Sequence, residues 1–147
     1  MHTCKKIYRD LPCAHRLFRH DGECRHIHGH NLAVELEFGA KKLTVDGFVA
    51  DFGKMEFIEA WLAEQFDHTL LLEQGDPLLA RLAAAGLAGD EAFQRVRVVP
   101  SAACERVAEF IFKNLAGLIK SRTRGRVALR SVTVHEDGKN SAQFVPA

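Results

Sequence analysis

Apolar residues fall on alternate positions near the start of the chain, where Ile7, Leu11, Cys13, His15 and Leu17 form a row broken only by Arg9. A period of two marks a half-buried strand, so a first strand is expected here with His15 on its inner face. Pro12 cannot donate a ladder hydrogen bond and predicts an edge or a bulge. Residues 19–23 read as a polar turn. Alternation then resumes: His28, His30, Leu32, Val34, Leu36 and Phe38 share one face, opposite Ala33, Glu35 and Glu37.

The period changes after a connection over residues 39–47. Asp51 offers an N-cap, and Met55, Ile58, Leu62 and Phe66 recur at three- and four-residue spacing, widened by Phe57 and Trp61. This predicts an amphipathic helix ending near Asp67 and His68. Leu70-Leu71-Leu72 is too short to assign by periodicity. Asp76-Pro77 has the form of an N-cap followed by proline at the first helical position, opening a short helix through Ala85 that Gly86 closes. Residues 95–99 alternate as a brief edge strand ended by Pro100. Ser101 is expected to cap a second long helix with Val107, Phe110, Ile111, Leu115, Leu118 and Ile119 inward and Glu109 and Lys113 as an outward pair. Residues 127–136 and 141–145, around Asp137-Gly138, read as a closing hairpin.

Two strands, a helix, an insert, a second long helix and two strands predict an α+β fold. The expected form is a four-stranded antiparallel sheet with two helices on one face. Such a sheet leaves two edges that must be paired or covered, so self-association through the sheet is expected. A length of 147 residues and 47% apolar content fit one domain over 1–147. Twenty basic and 19 acidic residues leave a formal charge of +1, which supplies no broad footprint for nucleic acid or an anionic membrane. No window approaches the roughly 18 uninterrupted apolar residues of a membrane helix, and the basic N-terminus does not lead into a signal-peptide apolar run. A cytoplasmic protein with free thiols on its four scattered cysteines is therefore expected.

The candidate chemistry lies in Cys24-Arg25-His26-Ile27-His28-Gly29-His30-Asn31. Residues two apart on a strand point to one side, so His28 and His30 can hold one metal ion between them, with Gly29 leaving room for a close approach. His15 from the neighbouring strand would complete three histidines with an open position, the pattern of a catalytic zinc. His26 shares the parity and competes for a ligand position. Cys24, near a cation and Arg25, reads either as a base or nucleophile with its thiolate favoured, or as a small buried residue. Asp67-His68 is either a catalytic pair or a helix boundary. Glu136 extends the row of Val132 and Val134, as a site carboxylate or as a solvated strand end.

Taken together, these runs resemble the 6-pyruvoyl-tetrahydropterin synthase family. The matching segments are Ala14-His15-Arg16-Leu17, Cys24-x-x-x-His28-Gly29-His30-Asn31, Val49-Ala50-Asp51-Phe52, Phe66-Asp67-His68, Glu105-Arg106-Val107-Ala108 and Val134-His135-Glu136, in the family's order along nearly the whole chain. The three-residue gap between Cys24 and His28 looks like the 6-carboxytetrahydropterin synthase branch, which serves queuosine-precursor synthesis. The resemblance implies a tunnelling fold, in which sheets of several subunits join edge to edge into a barrel, usually as a homohexamer of two stacked trimers. It implies zinc on His15, His28 and His30, Glu136 holding the pterin ring, and Cys24, Asp67 and His68 as the proton-transfer set, with the Asp-His pair supplied by a neighbouring subunit. The implied reaction converts 7,8-dihydroneopterin triphosphate to 6-carboxy-5,6,7,8-tetrahydropterin, acetaldehyde and triphosphate. The alternatives are formation of 6-pyruvoyl-tetrahydropterin, folate-pathway cleavage of the same side chain, and a non-catalytic zinc- or pterin-binding module. Two departures from the family pattern bear on substrate detail. Residues 100–105 carry Ala102, Ala103 and Cys104 where relatives commonly have proline and threonine closer to the glutamate, and His135 stands where lysine is frequent.

Overall fold

A computed structural model describes residues 1–147. In chain order the elements are β1 (His2–His15), β2 (His28–Ala40), α1 (Glu56–Phe66), β3 (Thr69–Glu73), α2 (Pro77–Ala84), β4 (Val96–Val99), α3 (Cys104–Arg122), β5 (Ala128–His135) and β6 (Ser141–Phe144). They build one six-stranded sheet in the order β4-β3-β1-β2-β5-β6. The architecture is the expected α+β one, but with six strands in place of four and a mixed sheet in place of an antiparallel one. β1, β2, β5 and β6 pair antiparallel, whereas β3 runs parallel to both β1 and β4. Leu70-Leu71-Leu72 belongs to β3, between β1 and β4, where Thr69, Leu71, Leu72 and Glu73 are all buried. A strand covered on both faces has no reason to alternate, which is why its period was silent.

Twenty-six buried residues form one core between the sheet and the helices α1 and α3. The α1 stripe of Ile58, Leu62 and Phe66 meets Val107, Ile111, Leu115 and Ile119 of α3, and Trp61 stacks on Phe110 with ring centroids 6.0 Å apart. α2 begins as its sequence predicts: Asp76 accepts a hydrogen bond from the Leu78 N–H, Pro77 holds the first turn, and Gly86 follows with a φ of +71°. Ser101 does not cap α3. That helix starts at Cys104, after Ala103, without a side-chain cap; the Ser101 hydroxyl lies ahead of it, donating to Glu73 and accepting the Ala103 N–H at 3.4 Å. Asp51 caps a 3-10 turn at Phe52–Lys54 that precedes α1, rather than α1 itself.

The interruption at Arg9 has a structural cause. Tyr8 pairs with Val34 but Leu11 pairs with Leu32, so β1 spends one residue more than β2 over this step. This is a β-bulge. Asp10 takes a left-handed φ of 62° there and accepts a hydrogen bond from the Asn31 amide at 3.1 Å. Before the bulge, Tyr8 faces the core and Ile7 does not; after it, Leu11, Cys13 and His15 do. β3 pairs with β1 only over Cys13, Ala14 and His15, which leaves the earlier part of β1 without a strand partner on that side. No helix is long and apolar enough to cross a membrane, and all four cysteines are free.

Candidate metal centre and its cavity

Register brings the three histidines together. His15 is opposite His28, and His30 is opposite Cys13, so all three imidazoles project from the core-facing side of the β1–β2 pair. Ring centroids are 4.6 Å apart for His15 and His28, 5.0 Å for His15 and His30, and 5.1 Å for His28 and His30. One nitrogen from each lies within 4.8 Å of the others. The ring orientations are set by outer partners. His15 Nδ1 is 2.9 Å from the Ala102 carbonyl and His28 Nδ1 is 2.7 Å from the His26 carbonyl, so each of these nitrogens carries the proton and donates it.

These donors fit a metal ion. With both Nδ1 atoms protonated, the Nε2 lone pairs of His15 and His28 face each other at 3.1 Å, an arrangement that needs a cation or a shared proton between them. That separation is close to the ~3.3 Å edge of a tetrahedron drawn with zinc–nitrogen bonds of about 2.05 Å. His30 Nε2 is buried with no hydrogen-bond partner, and a buried polar atom without a partner is costly. Burial lowers the His15 pKa, the neighbouring His28 and His30 lower it further, and the Ala102 carbonyl and Glu136 oppose them. A neutral imidazole is the form that binds metal. His26 lines the same cavity but lies outside the three-nitrogen cluster, and its carbonyl accepts the His28 Nδ1–H. At Gly29 an added Cβ would meet the Cys13 carbonyl at 3.6 Å, an ordinary contact, so no close backbone approach requires glycine there.

The histidines stand at the base of a cavity of about 860 Å³ whose walls include Cys24, Glu105 and Glu136. Cys24 sits in a 3-10 turn at Glu23–Arg25 and is half-buried; its carbonyl accepts the Leu17 N–H, closing the loop between β1 and β2. Glu136 Oε1 is 3.9 Å from His15 Nε2, on the face that the Val132–Val134 parity predicts. Burial pushes the Cys104 thiol beside it up to about 12, with Glu136 adding to the shift. Glu105, in the first turn of α3 and part of the matching segment Glu105-Arg106-Val107-Ala108, joins this wall, although the sequence reading assigned it no site role.

Asp67 and His68 are not in this cavity. They follow α1 directly, with His68 at a left-handed φ of 52° and its Nδ1 2.7 Å from Asp67 Oδ1. The His68 side chain is 76% exposed and lines a separate depression with Pro12, Asn31 and Arg95. Arg95, just before β4, and Arg97 within it donate to carbonyls at the end of α1, Arg95 reaching that of Asp67, so these two arginines hold the segment from which the pair projects.

A 6-carboxy-5,6,7,8-tetrahydropterin synthase of Rickettsia bellii is 37% identical over 68 residues, covering 46% of this chain and 49% of the relative. The chain thus spans about half the length of that relative. An uncharacterised protein of Wolinella succinogenes superposes with a TM-score of 0.86 at 20% identity, over 99% of this chain and 98% of its own. The Caenorhabditis elegans 6-pyruvoyl tetrahydropterin synthase superposes with a TM-score of 0.67 at 20% identity, over 99% and 96%. These two structures share the fold. The family model described as 6-pyruvoyl tetrahydropterin synthase matches residues 5–147, so with its three-histidine cluster and its sheet the chain belongs to that family.

Proposed function

We propose that the protein is a zinc-dependent pterin synthase that converts 7,8-dihydroneopterin triphosphate and water to 6-carboxy-5,6,7,8-tetrahydropterin, with release of acetaldehyde and triphosphate. The observation that carries this reading is the meeting of His15, His28 and His30 with Cys24 and Glu136 around one cavity in a chain of this family. The 6-carboxy name of the matched curated relative supports this branch over the 6-pyruvoyl product.

Bound zinc supplies Lewis acidity to the hydroxyls of the substrate side chain, making their protons and those on the adjacent carbons easier to remove. His15 and His28 keep their Nε2 atoms free for the metal because their Nδ1–H groups are engaged by carbonyls. Glu136 accepts the neighbouring N–H groups of the pterin ring, since an ionised carboxylate offers two acceptor oxygens in a plane. Cys24, on the cavity wall, takes a proton near the ring. His68, oriented by Asp67, exchanges protons from the other side, carried there by a neighbouring subunit. Its exposure outside this chain's own cavity and the unpartnered part of β1 both support a shared site in a homohexamer. The cytoplasm suits this assignment, because its reducing conditions keep Cys24 a thiol.

The test is incubation of the zinc-loaded protein with 7,8-dihydroneopterin triphosphate, followed by product identification by mass spectrometry and a parallel acetaldehyde assay. The expected result is 6-carboxytetrahydropterin with acetaldehyde. A 6-pyruvoyl product without acetaldehyde overturns the branch. No turnover by zinc-replete protein overturns the enzyme reading in favour of a binding module.

A further inference from the structure

Glu73 ends β3 and is only 6% exposed, although nothing in the proposed chemistry uses it. Its Oε1 accepts the Ser101 hydroxyl at 3.1 Å and the Ala102 N–H at 3.2 Å, and its Oε2 is 3.7 Å from Arg19 Nη1. Ala102 is fully buried, and its carbonyl is the acceptor of the His15 Nδ1–H. We infer that Glu73 is a positioning residue for the His15 imidazole, acting through the Ser101-Ala102 segment.

Three observations support this. First, α3 has no side-chain cap, so helix capping does not hold the residues before Cys104. The Glu73 carboxylate does, by taking a side-chain and a backbone hydrogen from consecutive residues. Second, β3 already pairs with β1 at His15 through Leu71, so one short strand fixes both the backbone of His15 and the carbonyl that orients its ring. Third, a buried carboxylate is a poor choice for stability alone, because apolar residues of similar volume commonly do as well or better. A carboxylate that sets the acceptor of a ligand histidine has a different use. It keeps the proton on Nδ1 and leaves the Nε2 lone pair pointed at His28 and His30. Sequence inspection gives no hint of this, since Glu73 follows three leucines with no periodic pattern.

This inference rests on the metal-site reading, and its test separates the two. In metal-free protein, long-range proton–nitrogen NMR spectra of the histidine rings report the His15 tautomer. Competition with a chromophoric chelator reports zinc affinity. Glu73→Ala is expected to mix the His15 tautomers and to weaken zinc binding by ~10-fold, the low end of the range for losing a direct outer partner of a ligand histidine, because the Ala102 carbonyl remains but is no longer held. Glu73→Gln keeps the accepting oxygen toward Ser101 and Ala102, so it is expected to restore both readouts. Parental tautomer and affinity in Glu73→Ala overturn the inference, and so does a Glu73→Gln variant as impaired as Glu73→Ala. If Glu73→Ala does not fold, Ser101→Ala removes one of the two donors to Glu73, along with the 3.4 Å contact from the Ala103 N–H, and an unchanged tautomer and affinity there overturn it too. If the parent protein binds no zinc, the metal reading fails, while the tautomer measurement still decides the role of Glu73.

Discussion

Arg16 follows His15 and forms a two-pronged ion pair with Asp76. Its Nε is 2.8 Å from Oδ2 and its Nη2 2.9 Å from Oδ1, with the Asp76 side chain 0% exposed and that of Arg16 22%. Arg16→Ala leaves this carboxylate buried with only the Leu78 N–H as partner. Removing one member of a buried pair costs about 3–5 kcal/mol, and the retained N–H bond argues for the lower end, about 3 kcal/mol. For a chain of this length that corresponds to a melting temperature lower by roughly 6–12 °C. The double variant Arg16→Ala/Asp76→Ala removes the unpaired charge and loses the α2 N-cap, worth about 1 kcal/mol, so it is expected to be more stable than Arg16→Ala alone. The acid dependence has a definite sign. Burial by itself would raise the Asp76 pKa, but hydrogen bonds from Arg16 and the Leu78 N–H, with the charges of Arg16 and Arg81, hold it below the usual carboxylate value. A depressed carboxyl contributes stability above its unfolded-state pKa of about 3.9 and loses it as pH falls through the folded value. The gap between parent and Arg16→Ala is thus full at neutral pH and closes in acid. Urea unfolding of metal-free protein at fixed protein concentration, followed by circular dichroism, measures it. A cost under about 1 kcal/mol, or a double variant no better than the single one, refutes the reasoning.

Metal analysis of His28→Ala is expected to find the site emptied, whereas His26→Ala keeps its zinc because it supplies only a backbone carbonyl; the reverse pattern refutes the ligand set. In steady-state kinetics Cys24→Ala should lower kcat by about 100-fold or more, as loss of a proton-transfer group does. Glu136→Gln should act mainly on KM. Full turnover by Cys24→Ala would remove it from the mechanism. In timed alkylation at pH 8 followed by peptide mass spectrometry, Cys24 on the cavity wall should be labelled before Cys13 and Cys104, whose thiols burial pushes up to about 12. Labelling of Cys13 or Cys104 first would contradict their burial.

The parts of the molecule that were legible in the sequence are those with one wet face. His28 and His30 lie in the same alternating row as Leu32 and Val34, so their shared direction followed from parity, as did that of Glu136 beyond Val134. Asp76-Pro77 announced α2 because the cap is a local hydrogen bond. What stayed hidden depends on distant partners. Leu70-Leu71-Leu72 could be recognised as a strand only once β1 and β4 lay on either side of it. Ser101 had the chemistry of a cap, but α3 starts only at Cys104, and the hydroxyl instead ties its segment to Glu73, 28 residues away. His26 had the right parity for a ligand; it precedes β2, where alternation no longer governs direction.

The bulge between Tyr8 and Leu11 also matters for how the chain reaches this state. A β-hairpin's easiest mistake is to zip one residue out of step, which turns each side chain to the wrong side. Here all three imidazoles belong to the single hairpin of β1 and β2, with His15 on one arm and His28 and His30 on the other. The extra residue, with Asp10 tied to Asn31 across the ladder, suits only one alignment of the arms. A slipped hairpin separates His15 from its two partners on β2, so the three-imidazole set forms only with correct zipping. A metal ion that favours the three-imidazole state would therefore favour the correct alignment even before the helices have docked, making the ligand cluster a proofreading device for the strand pair that carries it.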